Sequence, residues 1–169
     1  MYTILDPKII TELSFIKQGW FSPEYELADG LNSYGKVTFH RLTRRKATAE
    51  SATGTWIFQR GDLFKREILI KDGNDGFIGK LTREWFSRRA TLTLQTGFRA
   101  DFYRPSIWSR EYIWESAGYG KIMHFKNNPF SLKSTIYIDQ SLTPATLIPL
   151  LTFFGTYLVI LSRRRKARH

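Results

Sequence analysis

The sequence predicts a mainly β protein, an antiparallel sheet that closes or folds over on itself, with one apolar C-terminal helix and a short N-terminal helix. Three observations carry this. Short alternating segments recur from Trp20 to Asp139, separated by turn signals. No helical pattern lies between them, which argues against parallel βαβ units. Finally, Gln140–Ser162 is a run of 23 residues without a charge, followed directly by Arg163-Arg164-Arg165-Lys166. A length of 169 residues suits one domain with a real core, and 42% apolar content with 15% aromatics excludes wholesale disorder.

Taken in order, residues 1–19 form the first segment. Asp6-Pro7 reads as an N-cap with Pro at the first helical position, and Ile9, Ile10, Leu13 and Ile16 follow at helical spacing. This predicts a helix over 7–18 closed by Gly19, although Thr11, Phe15 and the isoleucines also suit a strand. No basic n-region or apolar h-region precedes it, so no signal peptide is expected.

Residues 20–139 form the β region. Val37 and Phe39, Thr53–Gln59, Glu67–Lys71, Phe77–Leu81, Leu92 and Leu94, Phe98–Tyr103, Tyr112–Glu115, Tyr119–Phe125 and Ser134–Ile138 read as strands. Asp72-Gly73-Asn74-Asp75-Gly76 is the clearest hairpin signal. Leu42–Gly54, with Arg44, Arg45 and Lys46 among small residues, reads as a mobile loop. So many short strands need their edges protected by closure.

The segment 140–162 is apolar on every side and must be buried, in lipid or in protein. It is long enough to span a bilayer. An N-terminal domain left in the cytoplasm would, however, send the five cations of residues 163–169 to the wrong side of the positive-inside rule. A barrel of ten or more strands has room for such a helix at its centre. Both readings stand on the sequence: a core helix, or an anchor formed by residues 143–162.

The charge is uneven. Residues 1–85 carry 13 Lys/Arg against 11 Asp/Glu, whereas residues 86–169 carry 13 against 4, within a net charge of +11. An anionic partner is implied. The candidate lipid-binding residues are Arg163, Arg164, Arg165, Lys166 and Arg168 in the tail, then Arg44, Arg45, Lys46, Arg88 and Arg89 in the body. Nucleic acid ranks lower, because the internal cations look scattered along strand-like segments. Of Trp20, Trp56, Trp85, Trp108 and Trp114, most are expected in packing and the rest in an interfacial belt beside Arg88, Arg89, Arg104 and Arg110.

No catalytic constellation is present: there is no GxSxG, HExxH or P-loop, and no cysteine. His40 and His124 read as strand histidines, and Asp72 and Asp75 as turn residues. The chain therefore reads as non-enzymatic, with no cofactor or metal expected.

Three stretches resemble the Tubby C-terminal-like superfamily, which includes the LURP-one-related proteins and the phospholipid scramblases. They are Ile68–Leu81 with its strand–turn–strand pattern, Glu111–Glu115 followed by Gly118–Ile122, and the apolar terminal helix. The likeness covers about residues 35–162. It implies an antiparallel closed barrel of about 10–12 strands wrapped around the helix, and a link to membranes or lipids. A cysteine-rich segment, a Pro-rich N-terminal region and an acidic calcium loop, all scramblase features, have no counterpart here. The resulting expectation is a domain on the cytoplasmic side of a membrane that binds anionic lipid, the alternative being a single-pass anchored β domain that scaffolds a protein partner.

Overall fold

A computed structural model describes residues 1–169 except 44, 62–65, 84–87, 129–130, 132, 140–142 and 167–169. Twelve strands form a closed barrel in which every neighbouring pair is antiparallel and, except at the seam, consecutive in the chain. They are β1 (Glu12–Lys17), β2 (Glu24–Ala28), β3 (Ser33–Phe39), β4 (Lys46–Ser51), β5 (Gly54–Arg60), β6 (Glu67–Asp72), β7 (Phe77–Arg83), β8 (Arg89–Leu94), β9 (Arg99–Tyr103), β10 (Glu111–Ser116), β11 (Gly120–Lys126) and β12 (Lys133–Ile138). The seam joins β1 to β12, with Leu13 opposite Ile136 and Phe15 opposite Ser134. A short 3₁₀ turn, Ala145–Leu147, leads into the helix α1 (Ile148–Lys166).

Residues 7–18, expected as a helix, are not one. Only a single turn forms at Asp6-Pro7, where the Asp6 carbonyl accepts from the backbone N–H groups of Ile9 and Ile10. Glu12–Lys17 is instead the strand that closes the barrel between β2 and β12. Without it both neighbours would be open edges, and pairing on two sides outweighs a weak helical periodicity. The β region thus begins at Glu12 rather than at residue 20. The stretch 42–54, expected as a loop, contains β4, whose inward residues are the fully buried Ala47 and Ala49. Alanine is a poor strand signal, but a small side chain is what this wall needs against the helix. The Asp72–Gly76 hairpin forms as expected: Asp72 Oδ1 accepts from the N–H groups of Asn74 and Gly76, and Asp75 sits at φ 67°.

The apolar helix fills the barrel. From Ile148 to Leu161 its residues other than Pro149 are buried, and no face is left for solvent. By length and composition it could cross a membrane, yet here 72% of its apolar window is covered by the barrel wall. Aromatic rings pack it in place, with Phe154 at 4.9 Å from Phe58, Tyr157 at 5.5 Å from Phe39, and Trp114 at 6.1 Å from Phe154. The polar atoms of Trp114, Thr152 and Thr156 inside the barrel are paired. Trp114 Nε1 donates to the Leu151 carbonyl at 3.0 Å, and the hydroxyls of Thr152 and Thr156 donate back to the carbonyls of Ile148 and Thr152. Burial pushes the Tyr157 hydroxyl up to about 12.

The helix lies nearest β3, β4, β10 and β11, and glycine sets how near. A Cβ at Gly155 would stand 2.2 Å from the Phe125 ring and 2.8 Å from Trp114 Nε1. Gly155→Ala therefore loses about 1–3 kcal/mol of stability by overpacking, although alanine gains about 1 kcal/mol in helix propensity. Urea unfolding of the two proteins measures the difference. A chain ending at Gln140 lacks the helix and leaves the aromatic wall of the barrel facing water. It should aggregate or unfold in detergent-free buffer where the full chain stays folded, as circular dichroism and sedimentation would read.

Candidate functional site

Up-and-down connectivity sends alternate connections to opposite ends of the barrel. At the end where α1 starts, the five hairpin connections are 2–4 residues long. At the end where α1 emerges, the six connections (18–23, 40–45, 61–66, 84–88, 104–110 and 127–132) are 5–7 residues long. Longer loops on a rigid barrel are where binding residues are carried. This end is the mouth of the barrel.

Because α1 leans toward β3, β4, β10 and β11, a cleft of about 620 Å³ opens on the β5–β9 side of the mouth. Its floor is apolar: Ile68, Leu81, Ala90 and Phe102 from the wall, Leu158 and Leu161 from the helix. Its rim is cationic. Arg45, Arg60, Arg66, Arg83, Arg88, Arg104 and Arg165 line it, and among the described residues Glu67 is the one carboxylate there. Each arginine lies at a strand end, in a mouth connection or in the last turn of α1, so the rim is assembled from five separate parts of the chain: the β3–β4, β5–β6, β7–β8 and β9–β10 connections with their strand ends, and the helix. Such a cleft combines an anion-binding rim with a floor that takes hydrocarbon.

The tail of the sequence analysis is divided by the structure. Arg163 to Lys166 complete the helix instead of trailing from it. Arg163 is half-buried and turned inward. It donates to Asn127 Oδ1 and Ser134 Oγ, lies 5.4 Å over the Phe15 ring, and has its pKa lowered by burial. Arg164 stacks over Phe39 at 4.0 Å. Arg165 is exposed and belongs to the cleft. Cations in this last turn also face the negative end of the helix dipole. Arg168 lies outside the described residues, and Lys166 is described in its backbone only.

The body residues divide too. Arg45 and Arg88 line the cleft. Lys46 opens β4, and Arg44 lies outside the described residues. Arg89 is held on the outer wall, 3.3 Å from Asp101, 3.7 Å from Glu115 and 3.9 Å over the Tyr103 ring. Arg60, Arg66 and Arg83 join the cleft from outside the basic clusters that the sequence shows. The signal that finds them is parity: counting strands assigns every second connection to one end, and those connections hold the arginines. Cations that look scattered along the chain are thereby gathered in space.

The tryptophans separate in the same way. Trp114 is fully buried and Trp56 packs against Phe153, whereas Trp20 and Trp108 are exposed on mouth loops; Trp85 lies outside the described residues. His124 stacks on Tyr137 and lies 3.4 Å from Asp139, and His40 is 2.7 Å from the Thr48 hydroxyl. Among the described residues no three His, Asp or Glu side chains are grouped to hold a metal ion.

Comparison with protein-family models, with curated proteins and with solved structures finds no match to this chain.

The split within the tail is testable. Arg163→Ala leaves Asn127 without its charged donor, so stability falls by about 1.5–3 kcal/mol. Arg165→Ala, at an exposed site, leaves stability within about 0.5 kcal/mol of the parent. Paired denaturant titrations distinguish the two.

Proposed function

We propose that this protein is a non-enzymatic, peripheral membrane domain that binds anionic phospholipid at the mouth of its barrel. The observation that carries the reading is the cleft, with seven arginines above a floor of aliphatic and aromatic carbon. Phosphate attracts guanidinium groups and is matched by their paired donors. A free inorganic anion would have no use for Leu158, Leu161 or Phe102, whereas the first methylenes of an acyl chain would. The resemblance to the Tubby C-terminal-like superfamily within residues 35–162 points to the same lipid-facing role, and a cytoplasmic face of a membrane supplies the anionic headgroups.

Magnitudes favour reversible docking. Each cation near an anionic surface contributes about 1 kcal/mol at physiological salt. Seven together give at most roughly 7 kcal/mol, an electrostatic contribution no tighter than on the order of 10 µM, because Arg45, Arg60, Arg66 and Arg83 also hold partners within the protein. Burial of α1 in the barrel argues for such surface attachment over a single-pass anchor.

Sedimentation with vesicles tests this. Binding should be strong to phosphatidylcholine mixed with phosphatidic acid or phosphatidylserine, weak to phosphatidylcholine alone, and reduced by salt. Arg88→Gln and Arg165→Gln should each weaken binding roughly 5-fold. Equal binding to neutral and anionic vesicles, unchanged by these substitutions, overturns the reading. Tighter binding to an oligonucleotide than to any vesicle would assign the mouth to nucleic acid instead.

A further inference from the structure

We propose that the mouth seats itself by inserting the tips of three loops into the interfacial layer of the bilayer, so that the barrel axis stands along the membrane normal. This inference rests on the lipid reading above and adds a second, apolar contact with its own residues. The loop joining β1 to β2 exposes Trp20 (77%) and Phe21 (93%), the loop joining β3 to β4 exposes Leu42 (99%), and the loop joining β9 to β10 exposes Ile107 (58%) and Trp108 (86%). All three stand at the same end of the barrel: the first two are neighbours there, the third is separated from them by the β11–β12 connection, and the second and third flank the arginine cleft through Arg45 and Arg104. Tryptophan with arginine beside it is the composition of a membrane–water interface.

The tips are braced. Arg41 Nη2 donates to the Phe21 carbonyl at 2.9 Å, tying the first two loops together. In the third loop, Ser109 N–H donates to the Ser106 carbonyl and closes a turn that holds Ile107 and Trp108 at its apex. Exposure of large side chains on ordered turns, with no contact to the body that would bury them, marks a surface that meets something apolar.

Charge selects the occupant. The other end of the barrel also exposes apolar side chains, Ile4, Ile9, Leu31 and Phe77. There they lie among Asp6, Asp29, Asp72 and Asp75, with Lys8 and the Asp75-paired Lys71 as the nearby cations, a predominantly acidic setting that an anionic surface does not attract. The mouth tips stand instead among Lys17, Arg41, Arg104 and Arg110. Only at the mouth do insertion and electrostatic attraction act in one direction, and an anionic bilayer is the partner that offers both.

The full chain, mixed with phosphatidylcholine–phosphatidic acid vesicles whose acyl chains carry bromine near the headgroup, tests this by tryptophan quenching. Emission should shift to the blue on binding and be quenched relative to unbrominated vesicles. Trp20→Phe/Trp108→Phe should still sediment with vesicles but lose most of the quenching. Trp20→Ser/Trp108→Ser should bind roughly ten-fold more weakly or worse, with an unfolding midpoint equal to the parent because both sites are exposed. Binding to anionic vesicles without quenching overturns insertion and leaves the arginine cleft standing. Quenching that survives the double Phe substitution overturns it as well, since the inserted tryptophan is then elsewhere. Absence of any vesicle binding removes the lipid reading and this inference with it.

Discussion

A barrel of twelve strands encloses more space than its own inward side chains can fill, and the helix Ile148–Lys166 occupies the remainder. Everything else in the structure is arranged around that filling. Ala47 and Ala49 make room for it on one side, while Gly155 lets it approach Phe125 and Trp114 on the other. Its threonine hydroxyls turn back onto its own carbonyls, so that it presents hydrocarbon in every direction. The same off-centre seat that tightens these contacts leaves a gap along β5–β9, and the gap becomes the cleft. Packing and site are thus two results of one displacement.

Connectivity then sorts chemistry by end. Each strand reverses direction, so residues in alternate connections share one end however far apart they stand in the chain. Short hairpins such as Asp72–Gly76 close one end with local side-chain-to-backbone hydrogen bonds. The connections at the mouth are longer and carry guanidinium and indole groups. A lipid surface would meet these without any rearrangement of the wall behind them.

Much of the wall was legible in the sequence, because period-2 alternation survives in most strands. The pair Leu92 and Leu94, or Phe102 with Ala100, reads directly. Legibility failed where tertiary pairing decided the outcome. Glu12–Lys17 carries a periodicity compatible with a helix and is a strand because β2 and β12 both need a partner. Lys46–Ser51 presents alanines inward, which look like loop composition until the helix beyond them is known. Of the site, Arg45, Arg88 and Arg165 were visible as basic clusters. Arg60, Arg66 and Arg83 were not, since each stands at a strand end or in a connection and only barrel parity unites them. By sequence Arg163 belongs to the basic tail, and only the positions of Asn127 and Ser134 reveal it as a half-buried clasp between helix and wall.

The seam between β1 and β12 bears on how the molecule forms. Glu12 lies opposite Tyr137, so this pairing joins segments from the two ends of the β region. Hairpins join neighbours, whereas the seam joins strands with ten others between them, and closure over so long a separation is slow. Until then two unpaired edges and a lining of Phe15, Phe58, Phe102 and Trp114 are exposed together. The inward face of the sheet and the apolar surface of the helix each lack cover without the other. Assembly therefore belongs to a single cooperative step, and the interval before it is the time at which this chain is most exposed to aggregation.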